Sequence, residues 1–264
     1  SPSGLMRRTS EEKYKKIELF CNSFFIYFSL YCKRDPENKK GKVQMKFEHR
    51  VAVVTGGAGR IGRALAEGFC EQGVAVALAD LSPEKAELVA ESLREKGGTC
   101  RAYEMDVTKT ESVRTAAERI LSDFGRTDIL VNNAGSWIPT LFSELTEEQW
   151  NRMIDLNLNG TFRVTRAFLP AMLREGYGRI INLGSIAGEV GLPRFCGYSV
   201  SKAGVIMMTR VLAMELAKKN ITVNCVSPGM ISEASRPTNG TWIGRCGDGE
   251  EVARLLLFPA SDDA

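Results

Sequence analysis

The chain has 264 residues, 44% hydrophobic and 25% charged, which suits a large α/β domain and excludes a wholly disordered or fibrous protein. Its formal net charge of +3 is uneven: residues 1–45 carry 10 Lys/Arg against 5 Asp/Glu and the remainder 25 against 27, so the body is near neutral and offers no nucleic-acid surface. Seven cysteines without a CxxC pair and a single histidine, His49, argue against a disulfide framework, a metal site and histidine-dependent triads, and for reduced thiols in a cytoplasmic compartment.

The first 44 residues stand apart. The aromatic stretch "IELFCNSFFIYFSLYC" (17–32) lies between basic segments, but its uncharged core, Leu19 to Cys32, is 14 residues long. A spanning helix needs roughly 20 apolar residues, and charged residues follow where a signal peptide would have its cleavage site. Membrane contact is therefore not expected, and a membrane-tethered enzyme is the lesser alternative. Folding logic starts at Met45 with "MKFEHRVAVVTGG", so 1–44 is read as an extension and 45–264 as one domain.

From residue 50 the pattern alternates. Short β-branched runs at 50–55, 74–79, 100–106, 128–133, 178–184 and 221–226 predict buried strands. Stretches at 61–72, 83–96, 110–124, 147–174, 199–219 and 249–257 have helical spacing. Strand alternating with helix implies a doubly wound parallel sheet in three α/β/α layers, with ligands at the carboxyl ends of the strands.

The first strand runs into "TGGAGRIG" (55–62) and then a helix. Such a turn lets backbone approach a phosphate, and the helix N-terminus offers unbonded N–H groups. Asp80 ends the second strand, 18 residues after Gly62, near the ~20-residue offset at which a carboxylate meets an adenosine ribose. It would repel a 2′-phosphate, so it favours NAD(H) over NADP(H), without excluding the latter; otherwise it is a loop acid or helix cap.

"GYSVSKAGV" (197–205) places Tyr198 and Lys202 four apart on one helix face. An ammonium beside a phenol favours the phenolate, which would let Tyr198 exchange a proton with an alcohol or carbonyl oxygen. Upstream, Ser185 in "INLGSIAG" is either a partner for that oxygen or a cap. "VNNAG" (131–135) either lies under a cofactor or makes a simple turn. Asn157 in "DLNLNGTF" is either a structural hydrogen-bonding group or the holder of a proton-relay water.

Together these motifs resemble the short-chain dehydrogenase/reductase family over residues 46–264. The resemblance implies a Rossmann-type fold and reversible hydride transfer between a nicotinamide and a carbonyl or secondary alcohol. It implies that Asn157, Ser185, Tyr198 and Lys202 form the catalytic tetrad. Lys202 would also lower the Tyr198 pKa and hold the nicotinamide ribose. Cofactor contacts would come from Gly56, Gly59, Arg60, Ile61, Gly62, Asp80, Asp106, Val107, Asn133, Ala134, Gly135, Tyr198, Lys202, Pro228, Gly229 and Ile231. Within the family, "NLNGTF" and "GRCGDGEEVARLLLFPASDDA" look most like the 3-oxoacyl-[acyl-carrier-protein] reductases and sugar or polyol dehydrogenases. The alternative is a nucleotide-binding scaffold or sensor with little turnover.

The pattern departs from the family in places. Arg60 stands where a glycine is usual and resembles an NADPH-favouring branch. Glu233 stands where a Thr is usual, and 230–243 would form a short, flexible lid. Trp137, Leu192, Phe195, Cys196 and Trp242 are candidates for an apolar pocket. The family continues past "ASDDA" with a further strand, so six strands are expected here, as from a C-terminally truncated domain. The family also implies a homo-oligomer, an expectation weakened by the missing strand.

Overall fold

The runs read as strands form a six-stranded parallel sheet in the computed structural model, which describes residues 45–47, 49–232, 236–238, 240–241 and 244–264. The 1–44 extension with its 17–32 stretch, and Glu233 and Trp242 of the expected lid and pocket, lie outside the described residues. The strands are β1 (Val51–Thr55), β2 (Ala75–Asp80), β3 (Cys100–Glu104), β4 (Ile129–Asn132), β5 (Gly178–Leu183) and β6 (Ile221–Val226), in the spatial order β3-β2-β1-β4-β5-β6. The order reverses between β1 and β4, and such a switch point opens a crevice at the carboxyl ends.

Helices cover both faces, which is why the central strands are apolar at successive positions. On β1, Ala52 and Val54 join one core with Leu65, Phe69, Leu78 and Leu256, while Val53 faces the other with Ile120, Phe168 and Ile180. The first core is closed by α1 (Arg60–Glu71), α2 (Pro83–Glu95) and α8 (Gly249–Ala260), and the second by α3 (Thr110–Phe124), α5 (Gly160–Glu175) and α7 (Cys196–Leu216). Two further helices, α4 (Glu147–Ile154) and α6 (Ile186–Val190), lie at the carboxyl side of the sheet's second half.

Several boundaries differ from the sequence expectation, α8 among them, which runs to Ala260 rather than 257, and three of the differences lie near the carboxyl ends of the strands. The helix expected over 147–174 is interrupted by a π-helical segment, Asp155–Asn159, between α4 and α5. There the fully buried Asn157 amide donates to the Met153 carbonyl, and the Thr161 hydroxyl donates to the Asn157 carbonyl. Side chains bonding into the backbone ladder widen a turn in this way. Strand β3 stops at Glu104, two residues early, because the Asp106 carboxylate accepts from the Thr108 N–H and hydroxyl and turns the chain. Helix α7 starts at Cys196 rather than 199. Among the described residues, no helix is long and apolar enough to cross a membrane.

Candidate active site

A cavity of about 1320 Å³ lies over the carboxyl ends of the strands. Of the residues singled out in the sequence as catalytic or cofactor-binding, all but Gly62 and Asn157 line it. Gly62 is packed behind the glycine turn and Asn157 behind Gly135.

The turn itself is closed by small residues. Gly56 has φ +63°, and a Cβ there would lie 3.0 Å from the Ala134 Cα; a Cβ on Gly62 would lie 2.3 Å from the Gly56 carbonyl oxygen. The first glycine therefore allows the left-handed turn, and the second lets α1 seat against it. The Asn133 amide holds the turn to β4, donating to the carbonyls of Thr55 (2.9 Å) and Gly56 (3.1 Å). The N-cap of α1, Gly59, supplies no side-chain bond, so an anion at this helix end would meet no competing cap side chain. These residues fit a dinucleotide pyrophosphate: the glycines fold the turn tightly so that its backbone lines the cavity at Gly56, Ala58 and Gly59, and the uncapped helix end attracts an anion.

At the next strand end, the Asp80 carboxylate accepts from the Ala58 N–H (2.9 Å) and the Ser82 N–H (3.0 Å). It thus braces the glycine turn while lining the cavity. Arg60 is turned toward another segment, its guanidinium donating to the Ile231 carbonyl at 3.0 Å. Ile231 pairs with Gly247 in an isolated bridge, and the preceding Pro228 carbonyl accepts from the Ile186 N–H at 3.1 Å.

The four residues of the expected tetrad come from three segments: Asn157 from the π-helical segment, Ser185 from the start of α6, and Tyr198 and Lys202 from α7. Ser185 is the N-cap of α6, its oxygen accepting from the Ala187 N–H at 3.2 Å. It also stands beside the Tyr198 phenol, close enough to lower that group's pKa, so it serves as cap and as neighbour to the phenol at once. Lys202 is buried and donates to the Leu183 carbonyl at 2.6 Å, with Nζ 5.9 Å from the centre of the Tyr198 ring. Burial pushes the ammonium pKa down to about 8, opposed by the Cys225 thiol behind it. Burial likewise raises the Tyr198 pKa, while the neighbouring Ser185 hydroxyl lowers it. The expected lowering of the phenol by Lys202 is not among these effects: desolvation raises the phenol and the opposing influence comes from Ser185.

Asn157 is committed to the backbone. Its amide donates to the Ser136 carbonyl (3.0 Å) and the Met153 carbonyl (3.1 Å), and its oxygen accepts from the Ser136 N–H (3.1 Å). Both N–H donors are spent, which favours the structural reading of this side chain over a donor to a relay water. A Cβ on Gly135 would lie 2.7 Å from the Asn157 oxygen and 3.4 Å from Lys202 Nζ; only glycine lets the three meet.

The sequence reading passed over Thr55. Its hydroxyl accepts from the N–H groups of Asn133 (3.1 Å) and Ala134 (3.1 Å), joining the ends of β1 and β4 under the cavity. The available signal was a polar residue closing an apolar strand. Glu148, Asn151 and Arg152 of α4 also line the cavity and had no motif to mark them. Of the apolar candidates, Trp137 lines it, and Phe195 touches both Trp137 and Tyr198.

A dinucleotide-binding sheet with a phenol, a hydroxyl and a buried amine at its switch point defines a nicotinamide-dependent oxidoreductase. The model of the short chain dehydrogenase family matches residues 50–242. The 3-oxoacyl-[acyl-carrier-protein] reductase FabG of Thermotoga maritima is 37% identical over 230 residues, covering 83% of this chain and 94% of that protein. The Escherichia coli FabG is 36% identical, with 83% and 93% covered. Among solved structures, gox2181 matches with a TM-score of 0.79 at 36% identity, covering 83% of this chain and 91% of that one. An NAD⁺-bound xylitol dehydrogenase matches at 0.77 and 33%, with 83% and 94% covered. The chain belongs to the short-chain dehydrogenase family and is an NAD(P)-dependent oxidoreductase acting on carbonyl and alcohol groups. The relatives with a stated activity are reductases or dehydrogenases and lend no support to the scaffold alternative.

Proposed function

We propose that the chain is an NAD(H)-preferring carbonyl reductase and alcohol dehydrogenase in which Tyr198 gives or takes the proton at the substrate oxygen. The observation that carries this is the meeting of Ser185, the Tyr198 phenol and buried Lys202 in one cavity, with Lys202 Nζ 5.9 Å from the centre of the phenol ring. The bound nicotinamide supplies or accepts the hydride. Ser185 would hold the reacting oxygen beside the phenol, so that the proton passes directly between phenol and substrate. Lys202, anchored by the Leu183 carbonyl, keeps a positive charge close to the oxygen on which negative charge develops and holds the nicotinamide ribose. Asn157 positions the Gly135–Ser136 backbone, and through it the floor beside Lys202.

Asp80 supports NAD(H): its carboxylate lines the cavity and retains lone pairs for ribose hydroxyls, while a 2′-phosphate would meet a negative charge. The Arg60 bond to Ile231 draws that guanidinium to another segment, which favours Asp80 as the deciding group. A fluorescence titration with NADH and, separately, NADPH tests the preference; tighter NADPH binding would refute it. The 45–264 region is the catalytic domain in this reading, and its cysteine pattern fits a cytoplasmic enzyme. Exposed apolar stripes on α5 (Phe162, Leu173) and α7 (Val200, Met207, Val211, Met214) favour a homo-oligomer, which sedimentation would test.

A further inference from the structure

Trp137 lines the cavity two residues past Gly135 with 58% of its surface exposed. Its ring meets that of Phe195 edge to face at a centroid distance of 5.9 Å, and Phe195 meets Tyr198 at 6.4 Å. An aromatic wall therefore runs outward from the phenol. Backbone bonds hold it in place: the Thr140 N–H donates to the Arg194 carbonyl at 2.7 Å, and Thr140 pairs with Phe195 in an isolated parallel bridge. Leu141, next to Thr140, and Leu192, whose carbonyl accepts from the Phe195 N–H, are exposed beside that bridge. A large ring held rigidly and left open in a cavity is surface for an apolar ligand to cover. The cavity is not apolar throughout, since Glu148, Asn151 and Arg152 line it from α4.

We infer that Trp137 is a specificity-determining residue and that the substrate is a carbonyl, or its secondary alcohol, bearing one apolar arm rather than a compound hydroxylated along its length. The inference rests on the reading of Tyr198 as the proton-exchanging group, because that fixes where the carbonyl sits. The apolar arm then lies along the ring of Trp137, which Phe195 backs.

The test uses the full chain with NADH and the methyl ketones from 2-butanone to 2-heptanone, set against dihydroxyacetone and xylulose. The expected result is a rise in kcat/KM of about fourfold per added methylene over the first few members, with both hydroxylated ketones poorer than 2-heptanone. Trp137→Ala should flatten the rise to less than about twofold per methylene, and Trp137→Phe should restore part of it. A flat series in the wild type, preference for the hydroxylated ketones, or an unchanged slope in Trp137→Ala would overturn the inference while leaving the proton-transfer reading intact. Absence of NADH oxidation with every carbonyl would overturn both. The wild-type series decides the matter even if Trp137→Ala fails to fold.

Discussion

The Lys202 ammonium is bonded to the Leu183 carbonyl, at 2.6 Å across the last residue of β5. No carboxylate forms an ion pair with it among the described residues. A buried cation held by one carbonyl is costly to the fold, and burial accordingly lowers its pKa from 10.5 to about 8.

Stability should reflect that cost. The folded pKa lies below the unfolded value, so between pH 8 and 10.5 the unfolded chain binds more protons and wild-type stability rises with pH. Below pH 8 the full penalty applies, on the order of 3 kcal/mol. Lys202→Met removes it and leaves the Leu183 carbonyl unbonded, at about 1 kcal/mol. The variant should be the more stable protein at pH 7 and lose that advantage by pH 10.5, as read by urea denaturation at both. A variant less stable than wild type at pH 7 would refute the buried-charge argument.

Gly62→Ala places a methyl 2.3 Å from the Gly56 carbonyl oxygen and 2.9 Å from the Gly57 Cα. Both contacts are backbone, so α1 must move away from the turn. The expected outcome is a stability loss of about 1–3 kcal/mol and NADH binding weakened at least about tenfold. Isothermal titration checks the affinity, and unaltered binding would mean the turn does not hold the pyrophosphate.

Asp80→Asn removes a charge but keeps an oxygen for the Ala58 or Ser82 N–H. The ratio of NADPH to NADH affinity should rise by about tenfold or more, because discrimination comes mainly from repulsion of the 2′-phosphate. Parallel titrations of wild type and variant measure it. An unchanged ratio would assign cofactor choice to another group.

The two reaction directions should respond oppositely to alkali. Reduction needs the protonated phenol, which burial of Tyr198 preserves at neutral pH, whereas oxidation needs the phenolate. Between pH 6 and 9, kcat/KM for alcohol oxidation should rise while that for carbonyl reduction holds or falls. Steady-state assays in both directions provide the comparison, and oxidation that declines over this range would exclude Tyr198 as its base.

Much of this was legible because periodicity and spacing report local geometry. Apolar runs marked the central strands, since both faces of the sheet are covered there, while the edge strand β3 is buried only at Cys100 and Tyr103; the i, i+4 spacing put Tyr198 and Lys202 on one face of α7. What escaped depended on partners distant in the chain. The π-helical segment carries local bonds of Asn157 and Thr161, but the fixing of Asn157 to the backbone of Ser136, 21 residues away, has no local signal. The raising of the Tyr198 pKa by burial needed the depth of the phenol as well as its helix face. The aromatic wall needed two loops brought together at Thr140 and Phe195, which no local pattern announces.

The most direct test of the central claim is single-turnover carbonyl reduction by Tyr198→Phe, with NADH affinity measured on the same preparation. The account predicts NADH affinity within about threefold of wild type and a rate lowered by about 10²–10⁴-fold, the usual contribution of a positioned general acid. A variant that binds NADH and reduces the carbonyl at the wild-type rate would show that the proton comes from elsewhere.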